Sequence, residues 1–277
     1  MPGFSRAALS EAARRLAAAG CVFAEEEAGE LAQVAVDDES RLSAMVERRS
    51  TGEPLAWITG TAEFCGCSLL IAPGVFVPRT QSEPLARRAA ELLPENGRAI
   101  DLGTGCGAIA RALLDARPNA SILGTESDPT AARCARRNGI TVAEGDLFEA
   151  VPESWKGTID LVIAVLPYVP TDELVYLPRD VRAFEPPSAL DGGPDGLVVL
   201  RRAVGQASEW LRDGGHLLVE IGGDQSGSLI PFLEASRFEF DRILVDEDGD
   251  RRGIEATAVA SLPRPASNPW RKPDQFQ

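Results

Sequence analysis

Apolar residues recur three and four positions apart through the first fifty residues of the chain. The stretches 5–19 and 24–49 are rich in Ala, Leu, Glu and Arg, which favour helices. Such spacing gathers the apolar side chains on one face of each helix, where they pack together. The sequence therefore predicts a small helical domain over residues 1–50.

The pattern changes between Thr51 and Arg79, where Gly and Pro separate short β-prone runs such as CSLLIA and VFVP. Runs of this length, broken by turn residues, indicate a β-hairpin, so residues 51–80 are predicted to connect two domains. From Gln81 to Leu93, small and aliphatic residues share one helical face. This helix is expected to open the main domain.

Short apolar runs then alternate with helical stretches, in the order RAIDLGTG, AIARALLDA, ASILGTES, PTAARCARRN, ITVAEGD, DLVIAVLPYV, LVVLRRAVGQASEWL and GHLLVEIG. This alternation predicts parallel strands joined by right-handed crossovers, which is a doubly wound, Rossmann-like α/β sheet over residues 81–262. The run EFDRILVDEDGDRRGIEATAVAS predicts a closing pair of strands. The proline-rich stretch 263–277 is predicted to be disordered.

Charge and the rarer residue types exclude several function classes. The net charge of −14 opposes nucleic-acid phosphates, so no direct nucleic-acid partner is expected. No apolar stretch approaches the roughly 18 residues of a membrane helix, and no leader pattern opens the sequence, so a soluble, cytoplasmic protein without a membrane partner is expected. Five cysteines without C-x-x-C spacing and the single His216 predict no disulfide framework and no metal site. The composition leaves the oligomeric state open.

A glycine-rich turn follows the first predicted strand of the main domain. It runs from Asp101 through Gly103, Thr104 and Gly105 to Gly107. The first two glycines let the backbone turn tightly and approach a ligand, and Gly107 lets the next helix pack close to the strand. The turn therefore suits a nucleotide-like group, although structural turns collect glycine as well.

Two acidic residues follow the next strands, at the edge where the turn lies. Glu126 stands 23 positions after Gly103, where a carboxylate can accept hydrogen bonds from both ribose hydroxyls. A solvated charge at a strand end is the competing interpretation. Asp146, followed by Leu147 and Phe148, is placed to accept a hydrogen bond from the amino group of adenine. A helix N-cap is the alternative interpretation of this residue.

The loop after the fourth strand separates two enzyme classes. It reads Val165, Leu166, Pro167, Tyr168, a stiff stretch with an aromatic ring at the carboxyl edge of the sheet. A nicotinamide oxidoreductase would use the same glycine turn and Glu126 but has no particular need for this loop. Amino methyltransferases hold the acceptor nitrogen at this position, so the loop favours methyl transfer.

Several stretches together resemble one family, the HemK-like protein-(glutamine-N5) methyltransferases that modify peptide chain release factors. They are TGEPLAWITGTAEFCG, VFVPRTQSE, AIDLGTGCGAIA, FEPPSALDGGPDGL and GGHLLVEIGGDQ, in the family's order and over nearly the whole chain. The resemblance implies a class I methyltransferase domain that binds S-adenosyl-L-methionine, a helical N-terminal domain that recognises the substrate, and a release factor as partner.

The resemblance also implies roles for residues at matching positions. Asp101 would lie near the methionine end of the cofactor, Glu126 at the ribose and Asp146 near the adenine. The remaining cofactor-binding positions are Gly103, Thr104, Gly105, Gly107, Leu147 and Phe148. Pro78 and Arg79 would border the substrate, and the catalytic loop would be Val165, Leu166, Pro167 and Tyr168.

This loop departs from the family, whose usual sequence there is Asn-Pro-Pro-Tyr. In the family, the asparagine oxygen and the next backbone carbonyl accept the two N–H groups of the substrate amide, and Val165 has no such oxygen. Glu185 and Glu220 are candidate acceptors from elsewhere, with a structural role as the competing interpretation. Three functions stay open: glutamine methylation through an altered site, methylation of another acceptor, and cofactor binding without transfer.

Overall fold

Three helices form the N-terminal part of the protein, whose computed structural model describes residues 4–246 and 248–259. They are α1 (Arg6–Ala18), α2 (Ala24–Ala35) and α3 (Glu39–Ser50). The Ser5 hydroxyl accepts a hydrogen bond from the Ala8 amide at the start of α1, and the Asp38 carboxylate accepts one from Arg41 at the start of α3. These caps satisfy amide groups that have no partner inside the helix.

The single helix predicted over residues 24–49 is wrong, because the chain breaks between α2 and α3. Val36 and Asp37 have φ values of 50° and 62°, in the left-handed region that ends a helix. The periodicity of apolar residues continues across the break, since α2 and α3 pack on the same small core with α1. The pattern therefore hid the turn.

The connector contains the predicted hairpin and one element that was not predicted. Strands β1 (Thr61–Phe64) and β2 (Cys67–Leu70) pair antiparallel, but LAWIT forms a short helix, α4 (Leu55–Thr59), and VFVP forms no strand. The indole of Trp57 donates a 2.9 Å hydrogen bond to the Val75 carbonyl. This bond ties α4 to the chain that leads into the main domain.

The main sheet has seven strands in the order β5-β4-β3-β6-β7-β9-β8 among the described residues. Their bounds are β3 (Arg98–Leu102), β4 (Ser121–Glu126), β5 (Val142–Glu144), β6 (Ile159–Ala164), β7 (Leu211–Glu220), β8 (Phe238–Val245) and β9 (Arg251–Ala258). All run parallel except β9, which is antiparallel to both of its neighbours. The strand order reverses beside β3, which creates a crevice at the carboxyl ends of β3 and β6.

Helices cover both faces of this sheet. They are α5 (Glu83–Leu92), α6 (Ala108–Ala116), α7 (Pro129–Arg137), α9 (Val198–Trp210) and α10 (Ser226–Ala235), while the short helix α8 (Arg179–Phe184) has no buried residue. Leu161 and Ile163 face the core under α5 and α6, whereas Val162 and Ala164 face the core under α9 and α10. A strand buried on both faces reads as a continuous apolar run, which explains the sequence LVIA.

The predicted closing pair of strands is present as β8 and β9, while α10 was not predicted. Pro231 lies inside this helix, and its sequence SGSLIPFLEA carries no clear helical period. The predicted disordered stretch 263–277 lies outside the described residues. Within the described part of the chain, every helix is too short or too polar to cross a membrane.

Candidate active site

One cavity of about 680 Å³ opens at the carboxyl ends of β3, β4 and β6, where the strand order reverses. Two groups of residues line it. The glycine side consists of Gly103, Gly105, Thr125, Glu126, Asp128, Asp146 and Leu147. The loop side consists of Arg79, Gln81, Val165, Leu166, Pro167 and Tyr168 with lining residues between 177 and 190. The structure therefore brings most of the predicted site residues to one cavity.

The glycine turn needs its glycines for different reasons. Gly103 has a φ of 66°, and a Cβ there would lie 2.8 Å from a methyl carbon of Leu166. Gly105 has a φ of 59° and open space around it, on the cavity. Gly107 does not line the cavity: a Cβ there would lie 2.7 Å from Ile140. Its smallness serves packing against Ile140 and against Ala135 of α7, and the predicted close approach of the next helix to the strand stays a prediction.

Asp101 and Thr104 lie behind the turn rather than on the cavity wall. The Asp101 carboxylate is 1% exposed and accepts hydrogen bonds from the Thr104 hydroxyl at 2.6 Å and the Ala110 amide at 3.1 Å. Burial raises the pKa of Asp101 to about 7, although these two bonds act in the opposite direction. The residue therefore fixes the turn and the start of α6 from within the protein.

The Glu126 carboxylate joins the ends of two strands. One oxygen accepts from the Gly105 amide at 2.9 Å, and the other accepts from the Asp128 amide at 2.9 Å. Glu126 is half-buried and lines the cavity, so it is not a simple solvated charge at a strand end. Each carboxylate oxygen retains a lone pair for a ligand hydroxyl, because a carboxylate offers about four acceptor positions.

Of the three predicted residues that follow Gly145 after β5, two line the cavity and one is buried in the core. Asp146 and Leu147 line the cavity, and Asp146 pairs with Arg202 of α9. No helix begins at Asp146 in the described chain, so its N-cap interpretation is wrong. Phe148 is 3% exposed and stacks on Trp210 with ring centroids 5.4 Å apart, away from the cavity lining. The positive φ of Leu147, 49°, turns the chain between these two environments.

Tyr168 connects the loop to the rest of the cavity. Its backbone carbonyl accepts a 2.8 Å hydrogen bond from the Gln225 side chain, and its phenol oxygen lies 3.3 Å from the amide nitrogen of Gln81. Burial and the nearby Glu220 raise the pKa of Tyr168 to about 12, so the phenol stays protonated near neutral pH. Val165 presents only carbon atoms from its side chain to the same cavity.

Arg79 lines the same cavity, whereas its partner Glu185 is buried and is not among the lining residues. The guanidinium of Arg79 lines the cavity, lies 4.8 Å from the centre of the Phe76 ring and pairs with Glu185 at 2.6 Å. Burial raises the pKa of Glu185, and Arg79 offsets part of that effect. Pro78 precedes Arg79 but is not among the residues that line the cavity.

Several cavity residues were missed by reasoning from the sequence. Gln81 lies in the 3₁₀ turn Thr80–Ser82 before α5, and Thr125 precedes Glu126 at the end of β4. Thr125 had a detectable signal, because it stands at the strand edge that binds ligands in such sheets. The lining residues 177–181 were not singled out, since their place on the cavity depends on long-range packing, whereas residues 184–190 belong to the stretch FEPPSALDGGPDGL that carries the resemblance.

His216 belongs to a cluster that sequence reasoning did not foresee. Among the described residues, its ring, Asp241 and Glu255 place possible ligand atoms within 4.8 Å of one another. Glu255 is already paired with Arg88 at 2.7 Å and lies 3.5 Å from Arg242, so cationic groups offset its charge. The His216 ring lies 3.3 Å from the Thr257 hydroxyl.

The glycine side fits a nucleoside-type cofactor. The Thr125 hydroxyl is buried without a hydrogen-bond partner among the described residues, and Thr125 lines the cavity. A buried hydroxyl of this kind has an unused capacity for a ligand. The cavity is also large enough, since ligand sites in proteins commonly occupy about 300–1,000 Å³.

Comparison with known proteins shows which family the chain belongs to. The family model described as Methyltransferase small domain matches residues 68–168. A release factor glutamine methyltransferase of Geobacter sulfurreducens is 38% identical over 200 residues, which cover 70% of this chain and 69% of that protein. One from Moorella thermoacetica is 34% identical and covers 89% of this chain and 96% of its own. The chain belongs to the release factor glutamine methyltransferase family.

Membership of this family confirms the predicted fold class, the methyltransferase activity and S-adenosylmethionine as the cofactor. A solved structure of a protein-(glutamine-N5) methyltransferase (release factor-specific) from Alicyclobacillus acidocaldarius is 23% identical, with a TM-score of 0.44, and covers 68% of this chain and 98% of that one. The roles of individual residues in this chain stay predictions.

Proposed function

We propose that this protein transfers a methyl group from S-adenosylmethionine to the side-chain amide nitrogen of a glutamine in a peptide chain release factor, in the cytosol. The observation that carries the proposal is that the glycine side and the loop side line one cavity. A donor site and an acceptor site must adjoin for direct transfer between them.

The glycine side holds the methyl donor in this proposal. Glu126 accepts the ribose hydroxyls, Asp146 lies near the adenine, and the turn at Gly103 and Gly105 brings backbone close to the ligand. Asp101 contributes from behind by holding Thr104 and the start of α6. When bound, S-adenosylmethionine supplies an electrophilic methyl group on a sulfonium sulfur.

The loop side orients the acceptor. An amide nitrogen is a poor nucleophile because its lone pair is delocalised into the carbonyl, so its N–H groups must be held to aim the lone pair. The Leu166 carbonyl accepts one N–H, Pro167 fixes the backbone, and Tyr168 packs along the planar amide. These groups act by orientation, without forming a covalent bond to the substrate.

The helical domain, residues 1–50, is the substrate-recognition domain in this proposal, with 51–80 as connector and 81–262 as catalytic domain. Residues 22–40 carry seven Asp or Glu side chains and no Lys or Arg. Phe23 is 65% exposed beside them. A protein partner with a basic surface would complement this charge.

The test is incubation with methyl-labelled S-adenosylmethionine and a purified release factor, followed by mapping of the labelled peptide. We expect label on the glutamine that the factor uses in peptide release. A release factor with that glutamine replaced by leucine is the matched control and should stay unlabelled. Tight cofactor binding by calorimetry with no label on the factor would contradict the proposal.

Val165 favours a second candidate, a methyltransferase whose acceptor makes fewer demands than an amide. An apolar side chain at this position suits a nucleophile with a free lone pair, because no N–H group must be held there. Label that appears on another protein or a small molecule, with the release factor unlabelled, would support this candidate. Cofactor binding with no labelled product would indicate a binding protein without catalysis.

A further inference from the structure

The side chain at position 165 leaves the acceptor site short of one hydrogen-bond acceptor. A primary amide has two N–H groups, and the Leu166 carbonyl accounts for one of them in the proposed function. Most charged acceptors that line the cavity are already engaged: Glu126 by two backbone amides, Asp128 by the Thr130 amide at 2.7 Å and Asp146 by Arg202. An acceptor on the loop side, away from these charged groups, would complete the pair.

Gln81 is a neutral residue with this capacity beside Tyr168. Its side-chain nitrogen lies 3.3 Å from the phenol oxygen of Tyr168. In this contact the Gln81 nitrogen donates and the Tyr168 phenol oxygen accepts. The phenol oxygen is thus an acceptor toward Gln81, which requires the Gln81 nitrogen, and not its oxygen, to face Tyr168.

This orientation leaves the carbonyl oxygen of Gln81 available. Within the described residues, no hydrogen bond reaches that oxygen, and Gln81 lines the cavity with Val165 and Tyr168. The residues after it are fixed in place: Ser82 is buried, and the Glu83 carboxylate accepts a 2.9 Å hydrogen bond from the backbone amide of Cys65. A side chain on such a support is pre-organised to orient a ligand.

We propose that the side-chain carbonyl of Gln81 accepts the second N–H group of the substrate glutamine, in place of the asparagine that position 165 lacks. The inference rests on the proposed function. Gln81 contacts the reacting amide directly and is therefore a catalytic residue. It holds the amide so that the nitrogen lone pair faces the methyl donor.

The transfer balances with these groups. The nitrogen lone pair forms the new N–C bond while the S–C bond breaks, and sulfur keeps that electron pair as a neutral thioether. The nitrogen then releases one proton to water, because the amide carbonyls of Gln81 and Leu166 are too weakly basic to keep it. The product is a secondary amide with one N–H group.

The first test measures kcat for release factor methylation in Gln81→Met, Val165→Asn and the double variant. Methionine preserves the length of the side chain and removes its hydrogen bonding. We expect Q81M to lose at least tenfold in kcat, with cofactor affinity unchanged, and V165N to restore at least tenfold in the Q81M background. Gln206→Met, on α9 outside the cavity lining, is the matched control and should keep wild-type kcat.

A second test uses binding without turnover. Calorimetry without methyl donor compares a release factor peptide carrying the glutamine with the same peptide carrying leucine. The wild-type protein should prefer the glutamine peptide, and Q81M should lose most of that preference. A preference unchanged by Q81M would overturn the inference, as would a loss of kcat that V165N does not restore, since a purely structural role cannot be rescued from position 165.

The outcomes separate this inference from the proposed function. If V165N methylates the release factor while wild type does not, the proposed site is right and the role of Gln81 is wrong. If wild type and V165N both bind cofactor and both leave the factor unlabelled, the proposed function is wrong, and the inference falls with it.

Discussion

The two sides of the cavity are held in different ways. On the glycine side, the Asp101 and Glu126 carboxylates accept four hydrogen bonds, three of them from backbone amides, within a turn at the centre of a parallel sheet. On the loop side, the lining segment 177–190 is exposed or half-buried except at Glu185 and Leu190, and a 2.6 Å ion pair joins Glu185 to Arg79.

This difference indicates where the protein tolerates substitutions. A site held by buried charges and positive-φ glycines has one arrangement, because any alternative leaves a buried polar group without a partner. A site built from half-exposed loops accepts new side chains at small cost to stability. Val165 lies on the second kind, so a change at this position is compatible with an unchanged glycine turn.

Gly103→Ala should have the largest effect. A left-handed φ costs alanine about 1–2 kcal/mol, and overpacking against Leu166 adds about 1–3 kcal/mol. Chemical denaturation should therefore show a loss of about 2–5 kcal/mol, and calorimetry a large loss of cofactor affinity. Gly157→Ala, with the same φ of 66° and open space, is the control and should lose only the strain. Equal losses would mean that the contact with Leu166 is unimportant.

Glu126→Ala should weaken cofactor binding at least tenfold, because hydrogen bonds to a charged group contribute about 1.5–3 kcal/mol each and the Gly105 amide also loses its acceptor. Isothermal calorimetry with S-adenosylmethionine measures this change. Glu144→Ala is the matched control, since Glu144 ends the neighbouring strand in register with Glu126 and is exposed. The ribose role would be contradicted by an unchanged affinity in E126A.

Asp101→Asn should change how stability depends on pH. The pKa of Asp101 is about 7 in the folded protein and about 3.9 in unfolded chains, so the folded state binds more protons between these values and stability falls as the pH rises through them. Asparagine removes this term, so D101N should gain on wild type by up to about 1.4 kcal/mol per pH unit between pH 5 and 7. Urea denaturation at several pH values measures it.

Asp115→Asn is the control for that experiment, with the opposite sign. Arg111 lowers the pKa of Asp115, so its contribution is present above the unfolded pKa and is lost only as the pH falls further. The difference between D115N and wild type should stay flat from pH 5 to 8. A flat profile for D101N as well would show that Asp101 is ionised throughout.

Tyr176→Ser should have the smallest effect, confined to the loop side. Tyr176 is 83% exposed directly before the lining segment 177–190, so its loss should change the free energy of unfolding by less than about 0.5 kcal/mol. If the release factor docks on this segment, KM for the factor should rise about fivefold, as expected from about 1 kcal/mol of lost contact. Cofactor affinity should not change, and an unchanged KM would place docking elsewhere.

The regular alternation of the main domain made its fold predictable. The strand residues LVIA and ILGT are buried, and the helices packed beside these strands have one apolar face. Local pattern and final structure therefore agree. The prediction failed where local pattern and backbone geometry diverge. Val36 continues the apolar period but adopts a left-handed φ, and Pro231 lies inside a helix that its sequence does not announce.

The candidate site was predictable in the same uneven way. Gly103, Gly105 and Glu126 were recognised because a parallel sheet places strand ends at one edge, whatever the loops do. Phe148 was misplaced, because the step from cavity to core occurs within one residue, at the left-handed Leu147. Gln81 was not singled out within the stretch VFVPRTQSE, nor were the lining residues 177–181, since their place on the cavity comes from packing between distant parts of the chain.

The sequence by itself determined the sheet, the glycine turn and the family, because these depend on periodicity and on motifs that read along the chain. Which side-chain oxygen atoms line the cavity depends on the tertiary structure. The Gln81 side chain is placed there by its contact with Tyr168, 87 positions further on. Hydrogen-bond direction depends on every partner in a network, and such partners meet only when the chain has folded.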